Sequence, residues 1–336
     1  TYSVDDINMD AIEHLHPDNS LLKQRTLKSA IDCKGVALHS GNKVTMTLHP
    51  ADANSGITFR RTDVAGLGAE IPALWDNVVD TRLCTVIGND EGVKVSTVEH
   101  VMAALSGCGI DNALIEINGP EVPIMDGSAD PFVFLIECAG IQEQDAPRRV
   151  IRVLKPVSVT EGDCTASLAP ATHFSVDMAI VYDSAVVGHQ NIKLGVINGA
   201  FSNELAKART FGFLHEVEAM RAAGLARGGS LENAIVISGD DVLNEDGLRF
   251  DDEFVRHKAL DAVGDMYLAG GLVIGAFSGD RSGHALNNTL LRALFADESA
   301  WCYGTISAKD AETMPNGGLH SEIQAQHSDL VFAVNG

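Results

Sequence analysis

The chain has 336 residues, more than one core ordinarily serves, because domains run to about 100–200 residues; two domains of similar size are expected. Its 45% hydrophobic and 5% aromatic residues are those of a globular α/β or α+β protein and exclude a disordered chain. With 24 Lys plus Arg against 46 Asp plus Glu, the net charge of -22 excludes a protein that grips nucleic acid through a basic surface, so an anionic ligand must be held by a few local cations.

Residues 1–21 are polar and acidic, lack the basic and apolar regions of a secretory signal, and read as an N-terminal extension in which His14 and His16 belong to a solvated segment. From Thr26 strand-like alternation appears, clearest over 43–48 (KVTMTL). After Ser96-Thr97-Val98 the spacing turns helical through Val101, Ala104 and Leu105, with Ser96 or Thr97 as the expected N-cap and a stop at Gly107 and Gly109. Residues 113–117 (ALIEI) return to a strand, and a second helix is expected from near Ser128, with Pro131 in its first turn, to Ala139-Gly140. The polar segment 142–149, which contains Pro147, reads as a linker. The expected division is therefore an extension over 1–21, a first domain over 22–146, a second over 147–310 and a C-terminal tail over 311–336.

The longest apolar run, Tyr267 to Phe277, is short and interrupted by glycine, below the ~18 residues of a membrane span, so no transmembrane span is expected. Cys33, Cys84, Cys108, Cys138, Cys164 and Cys302 include no C-x-x-C pair, which argues against a cysteine zinc cage and fits a reduced, cytoplasmic setting.

The second half echoes the first. Residues 41–51 (GNKVTMTLHPA) have a shorter counterpart at 162–171 (GDCTASLAPA), and the unit of histidine, small-residue helix, glycine and strand at His100 recurs from His257 through Val263-Gly264 to Gly271-Leu272-Val273-Ile274-Gly275. Two related domains facing each other would bring His100 and His257 to one junction.

His257 and Asp261 stand one helical turn apart and project from one face, so they can hold one ion, with His100 from the other half as a third ligand. Two imidazoles and a carboxylate form a common catalytic zinc set with an open position for water; a buried histidine bonded to a neighbouring carboxylate explains the same spacing. Glu99, about 100° round the helix from His100, is poorly placed as a ligand but well placed as a general base toward water on such an ion; it would equally favour the helix N-terminal dipole. Asp265 continues the stripe and could orient His284, whose imidazolium would donate a proton to a leaving amine; a helix-capping histidine is the alternative.

In chain order, the segments 96–100 (STVEH), 122–128 (VPIMDGS), 209–213 (RTFGF), 244–250 (NEDGLRF), 254–261 (FVRHKALD) and 282–288 (SGHALNN) together resemble the UDP-3-O-acyl-N-acetylglucosamine deacetylases of lipid A biosynthesis. The resemblance runs from about Lys23 to Ala308. It implies an α+β fold of two similar domains, each a small sheet with two packed helices, the helices sandwiched between the sheets and the site at the junction. It also implies one catalytic metal ion, zinc with Fe2+ as the alternative in the cell, on His100, His257 and Asp261, with Glu99 as general base, His284 as acid and Asp265 as its partner. Thr210 would stabilise the oxyanion, Phe211 would pack on the sugar, Lys258 would meet the phosphates, and Leu83 would line the site. Leu214, Val217, Leu231 and Val236 stand at the positions of an apolar acyl passage. Cys84 lies beside Leu83 and is not expected to act as a nucleophile. The implied partner is an acylated UDP-amino sugar, with no nucleic acid, and a cytoplasmic monomer is expected. The rivals are an amidohydrolase acting on another acylated amine and a non-catalytic binding protein of the same fold.

Overall fold

The structure is a computed structural model that describes residues 20–316. Residues 1–19, with His14 and His16, and residues 317–336 lie outside the described residues.

The first half contains strands β1 (Lys23–Leu27), β2 (Ile31–Val36), β3 (Lys43–Pro50), β4 (Ile57–Arg61), β5 (Glu70–Pro72), β6 (Val78–Asp80), β7 (Val86–Gly88) and β8 (Lys94–Ser96). Helix α1 (Glu99–Cys108), β9 (Ala113–Ile117), α2 (Asp130–Ala139) and β10 (Ile141–Pro147) follow. Its main sheet has the order β2-β3-β9-β4-β5. The alternation expected over β3 and β9 is realised: Val44, Met46 and Leu48 and Ala113, Ile115 and Ile117 turn inward, while the residues between them are less buried.

The second half contains β11 (Arg149–Val153), β12 (Val157–Glu161), β13 (Cys164–Ala169), β14 (Ser175–Val181), β15 (His189–Gly195), β16 (Phe211–Phe213), α3 (Leu214–Ala222), β17 (Ile235–Ser238) and β18 (Asp241–Val242). It ends in α4 (Glu253–Tyr267), β19 (Leu272–Ile274), β20 (Ala276–Asp280), α5 (His284–Ala296) and β21 (Trp301–Thr305). Its main sheet, β12-β13-β20-β14-β15, repeats the order of the first. The directions repeat too: β4 with β9 and β14 with β20 are the parallel pairings, and the others are antiparallel.

The helices form the middle of the molecule. α1 packs on α4 and α2, α4 on α5, and these helices in turn cover strands of the two main sheets. α1 is buried along its whole length, so it presents no amphipathic stripe. Its contact with α4 depends on Gly264, where an added Cβ would lie 2.0 Å from the Glu99 carbonyl oxygen. The fold is thus α+β, two alike halves around a shared helical layer, as the family resemblance implied.

Several local expectations are corrected. Segment 142–149 is no loose linker: most of it is β10, which pairs antiparallel with β1, and Arg149 opens β11. Neither Ser96 nor Thr97 caps α1; Val98 takes that place without a side-chain bond, while Thr97, at φ 59, turns its hydroxyl to Glu121. Gly107 lies inside α1, its missing side chain making room for the Phe201 ring, and only Gly109 ends the helix, in the left-handed region that suits it. In the duplication, the strand that takes the place of β9 is β20; residues 272–274 form β19, which pairs with β11. The ends also differ. Ser20 and Leu21 already pair with the chain near Ser307, and residues 314–316 of the expected tail are buried against the body of the protein.

Candidate metal centre and adjoining cavities

His100, in the first turn of α1, and His257 and Asp261, on one face of α4, meet where the two helices cross. All three are buried, and their candidate ligand atoms lie within 4.8 Å of one another. Asp261 Oδ1 is 3.5 Å from His100 Nε2 and 3.4 Å from His257 Nε2, and the two rings stand at 83°. His257 Nδ1 lies 2.9 Å from the Ala208 carbonyl, a bond in which the ring N–H donates and which leaves Nε2 to face Asp261. Burial, opposed by Asp261, pushes the His257 pKa down to about 4, so the ring is neutral at neutral pH. Burial works against ionisation of Asp261, yet His257 and Lys258 hold its carboxyl well below the ordinary value. Asp261 Oδ1 is buried without a hydrogen-bond partner among the described residues. An orphaned carboxylate oxygen facing two imidazole nitrogens fits a divalent cation with nitrogen and oxygen ligands, such as zinc.

Beside this trio, Glu99 accepts the Thr85 N–H at Oε2, 3.0 Å, and turns Oε1 toward His284 Nε2 at 3.7 Å. Burial raises the Glu99 pKa against the opposing pull of His284 and His100. Asp265, one turn beyond Asp261, takes His284 Nδ1 at 2.9 Å, Asn287 Nδ2 at 2.9 Å and the Thr85 hydroxyl at 2.6 Å. Burial alone would lower the His284 pKa, but Asp265 and Glu99 more than offset it and raise it to about 9. His284 opens α5, so the pairing anticipated between it and Asp265 is present in the geometry.

Thr210, Phe211, Lys258 and Leu83 line the cavity above these residues, about 190 Å³ in volume. The backbone of Thr210 is fixed from both sides, donating to the Gly127 carbonyl and accepting from the Ile235 N–H, each at 2.8 Å. Arg209, just before it, is locked in a buried pair with Glu253 of α4 at 2.9 Å, and Glu253 also accepts the Arg249 N–H. The motifs around Gly127, Arg209 and Arg249 therefore meet and set the position of Thr210 and Phe211. Lys258 is half-buried and pairs with Asp261 Oδ2 at 3.3 Å, so it reaches the base of the cavity. Cys84 also lines it, but burial pushes its thiol up to about 12, which leaves it unreactive.

A second cavity of about 290 Å³ adjoins the first, sharing Thr210 and Phe211. Leu214, Val217, Leu231 and Val236 all line it, together with Met220 and Leu243. Most of its walls come from the small unit of β16, α3, β17 and β18, inserted between β15 and α4 of the second half. The first cavity likewise borrows Leu83 and Cys84 from the insertion that carries β6, β7 and β8.

Sequence reasoning missed His39 and Tyr182. His39 lines both cavities, and both its ring nitrogens are buried without a partner among the described residues. The signal was a histidine set between a strand and the turn at Gly41. Tyr182 stands edge-on to Phe211, with ring centroids 5.7 Å apart, and carried no signal beyond its place at a strand end.

Comparison with known proteins agrees with this geometry. A family model described as UDP-3-O-acyl N-acetylglycosamine deacetylase matches residues 24–296. The UDP-3-O-acyl-N-acetylglucosamine deacetylase of Acidithiobacillus ferrooxidans is 54% identical over 283 residues, 84% of this chain and 92% of the relative. Those of Shewanella halifaxensis, 50% identical over 283 residues, and Haemophilus influenzae, 50% over 299, cover 84% and 88% of this chain and 92% and 97% of their own lengths.

Proposed function

The chain belongs to the UDP-3-O-acyl-N-acetylglucosamine deacetylase family, and from that premise we propose that it hydrolyses the N-acetyl group of an acylated UDP-amino sugar at the centre formed by His100, His257 and Asp261. Acetate and the free amine are the products, in the committed step of lipid A biosynthesis. The observation that carries this reading is the buried trio beside the Glu99 and His284–Asp265 pair, opening into one polar and one apolar cavity.

His100, His257 and Asp261 would hold zinc, with iron(II) as the alternative of the same charge. A divalent cation bound there supplies Lewis-acid polarisation of the amide carbonyl and lowers the pKa of water. Glu99, with Oε1 turned to the site, takes a proton from the attacking water. The Thr210 hydroxyl donates to the oxyanion that forms as the carbonyl carbon becomes tetrahedral, a contribution of roughly 3 kcal/mol for such donors. As the C–N bond breaks, His284 gives its proton to the departing amine; Asp265 keeps that imidazole charged and oriented.

The sugar would rest on Phe211 near Leu83, with Lys258 as the cation for the diphosphate, and the acyl chain would enter the cavity of Leu214, Val217, Leu231 and Val236. Each buried CH2 adds about 0.8 kcal/mol to binding, so that cavity favours an acylated substrate. A cytoplasmic site of action is supported by six cysteines that form no disulfide. No helix among the described residues is long and apolar enough to cross a membrane. A monomer is the simplest working unit, because all the named residues come from one chain.

The test compares acetate release from the 3-O-acylated UDP sugar and from unacylated UDP-N-acetylglucosamine. The proposal expects a preference of at least about a hundredfold in kcat/KM for the acylated compound, as a few buried methylenes suffice for that. Equal rates would point to a different acylated amine as substrate.

A further inference from the structure

Residues 314–316 lie beyond the matched family region, which ends at 296, yet they are buried and bond both to the C-terminal end of α1 and to the turn at 198–199. Met314 sits in the core, 1% exposed. Its carbonyl accepts the Asn198 N–H at 2.8 Å, and that of Pro315 accepts the Gly199 N–H at 2.7 Å. The two donors are adjacent because Asn198 and Gly199 both have positive φ, 44° and 82°, which turns successive N–H groups to one side. Asn316 then crosses to the first half: its Nδ2 donates to the Cys108 carbonyl at the end of α1, 3.2 Å, and its own carbonyl accepts Arg25 Nη1 at 3.2 Å.

What these contacts hold is informative. α1 begins with Glu99 and His100 and ends at Cys108. The turn at 198–199 leads into the π-helical turn Phe201–Leu205, whose Phe201 ring fills the space over Gly107, and on to Ala208, which fixes the His257 tautomer. The other carbonyls that close α1 are also taken, Gly109 by Arg148 and Ile110 by Tyr267 of α4. Asn316 is the member of this set that is joined, through the Met314 and Pro315 carbonyls, to the 198–208 segment.

We infer that residues 314–316 form a strap that sets the spacing between the His100 and His257 sides of the metal centre, with Asn316 as a positioning residue acting through α1. The helix is a stiff lever about 15 Å long, so a shift at Cys108 is carried to Glu99 and His100. The inference rests on the proposed metal centre, and its test has a reading that needs no turnover.

The experiment uses the full chain with Asn316→Ala. Zinc affinity is measured by competition with a chelating dye, amide exchange over residues 99–108 by mass spectrometry, and kcat and KM separately, all well below the melting temperature of each protein. The strap predicts a zinc Kd raised by about fivefold or more, faster exchange in α1, and kcat lowered about tenfold with KM changed less than twofold, the scale of a small misplacement of catalytic groups. A lower melting temperature with unchanged zinc Kd, kcat and α1 exchange would overturn it, leaving Asn316 as a stability contact only. If the unsubstituted protein releases no acetate, the deacetylase reading falls, while zinc affinity and exchange still decide the strap.

Discussion

Glu99 divides its carboxylate between two tasks, Oε2 fixed by the Thr85 N–H and Oε1 left toward His284 and the cavity. Glu99→Gln keeps the shape and removes the base, so the variant should bind its metal normally, by metal analysis, and lose about 10²–10⁴-fold in kcat. Full activity would exclude Glu99 as the base. His284 carries a second prediction. Its pKa of about 9 lies above the ordinary 6.5, so its charged pairing stabilises the fold fully below pH 6.5 and is lost as pH rises through 9. In the metal-free protein, Asp265→Asn should shift the His284 imidazole titration, followed by NMR, to lower pH, and the stability gap between the two proteins should narrow above pH 9. An unmoved titration would remove Asp265 from its role. Asp265 was legible in the sequence because a helix repeats its face every three to four positions, which aligns it with Asp261 and His257, and Glu99 because it adjoins His100. His39 was not, since its place depends on how one turn after β2 folds over the cavities.

At the scale of elements, the α1–α4 contact governs how close His100 and His257 come. Gly264→Ala would drive a methyl to within 2.0 Å of the Glu99 carbonyl, which is backbone and cannot turn aside. The variant should lose about 1–3 kcal/mol of stability, read as a lower urea midpoint, and should bind zinc more weakly because the ligand-bearing helices separate. Wild-type stability and affinity would show that the contact yields without cost. Strands such as β3 and β9 were legible from their alternation, whereas β6, β7, β8, β16 and β18 are two or three residues long and show no period to read. The same limit hid the insertions that wall the cavities. β10 read as a linker because a two-stranded ribbon with one exposed side needs few apolar residues.

Across the whole molecule, the repeated sheet order explains why one site draws its ligands from both halves. α1 and α4 follow equivalent strands, and packing them together in a common layer brings His100 to His257 and Asp261. The echo of 41–51 in 162–171 disclosed this pairing, although sequence alone misassigned the strand after α4. The chain's charge of -22 leaves Lys258 as a local cation in the site, held there by Asp261. The most direct test is acetate release from a UDP-3-O-acyl-N-acetylglucosamine by the purified protein, before chelation, after it, and after zinc is restored. Activity should disappear with the metal and return with one zinc ion per chain. Release that survives complete metal removal, or none from the zinc-loaded protein, would contradict a metal-dependent deacetylase centred on His100, His257 and Asp261.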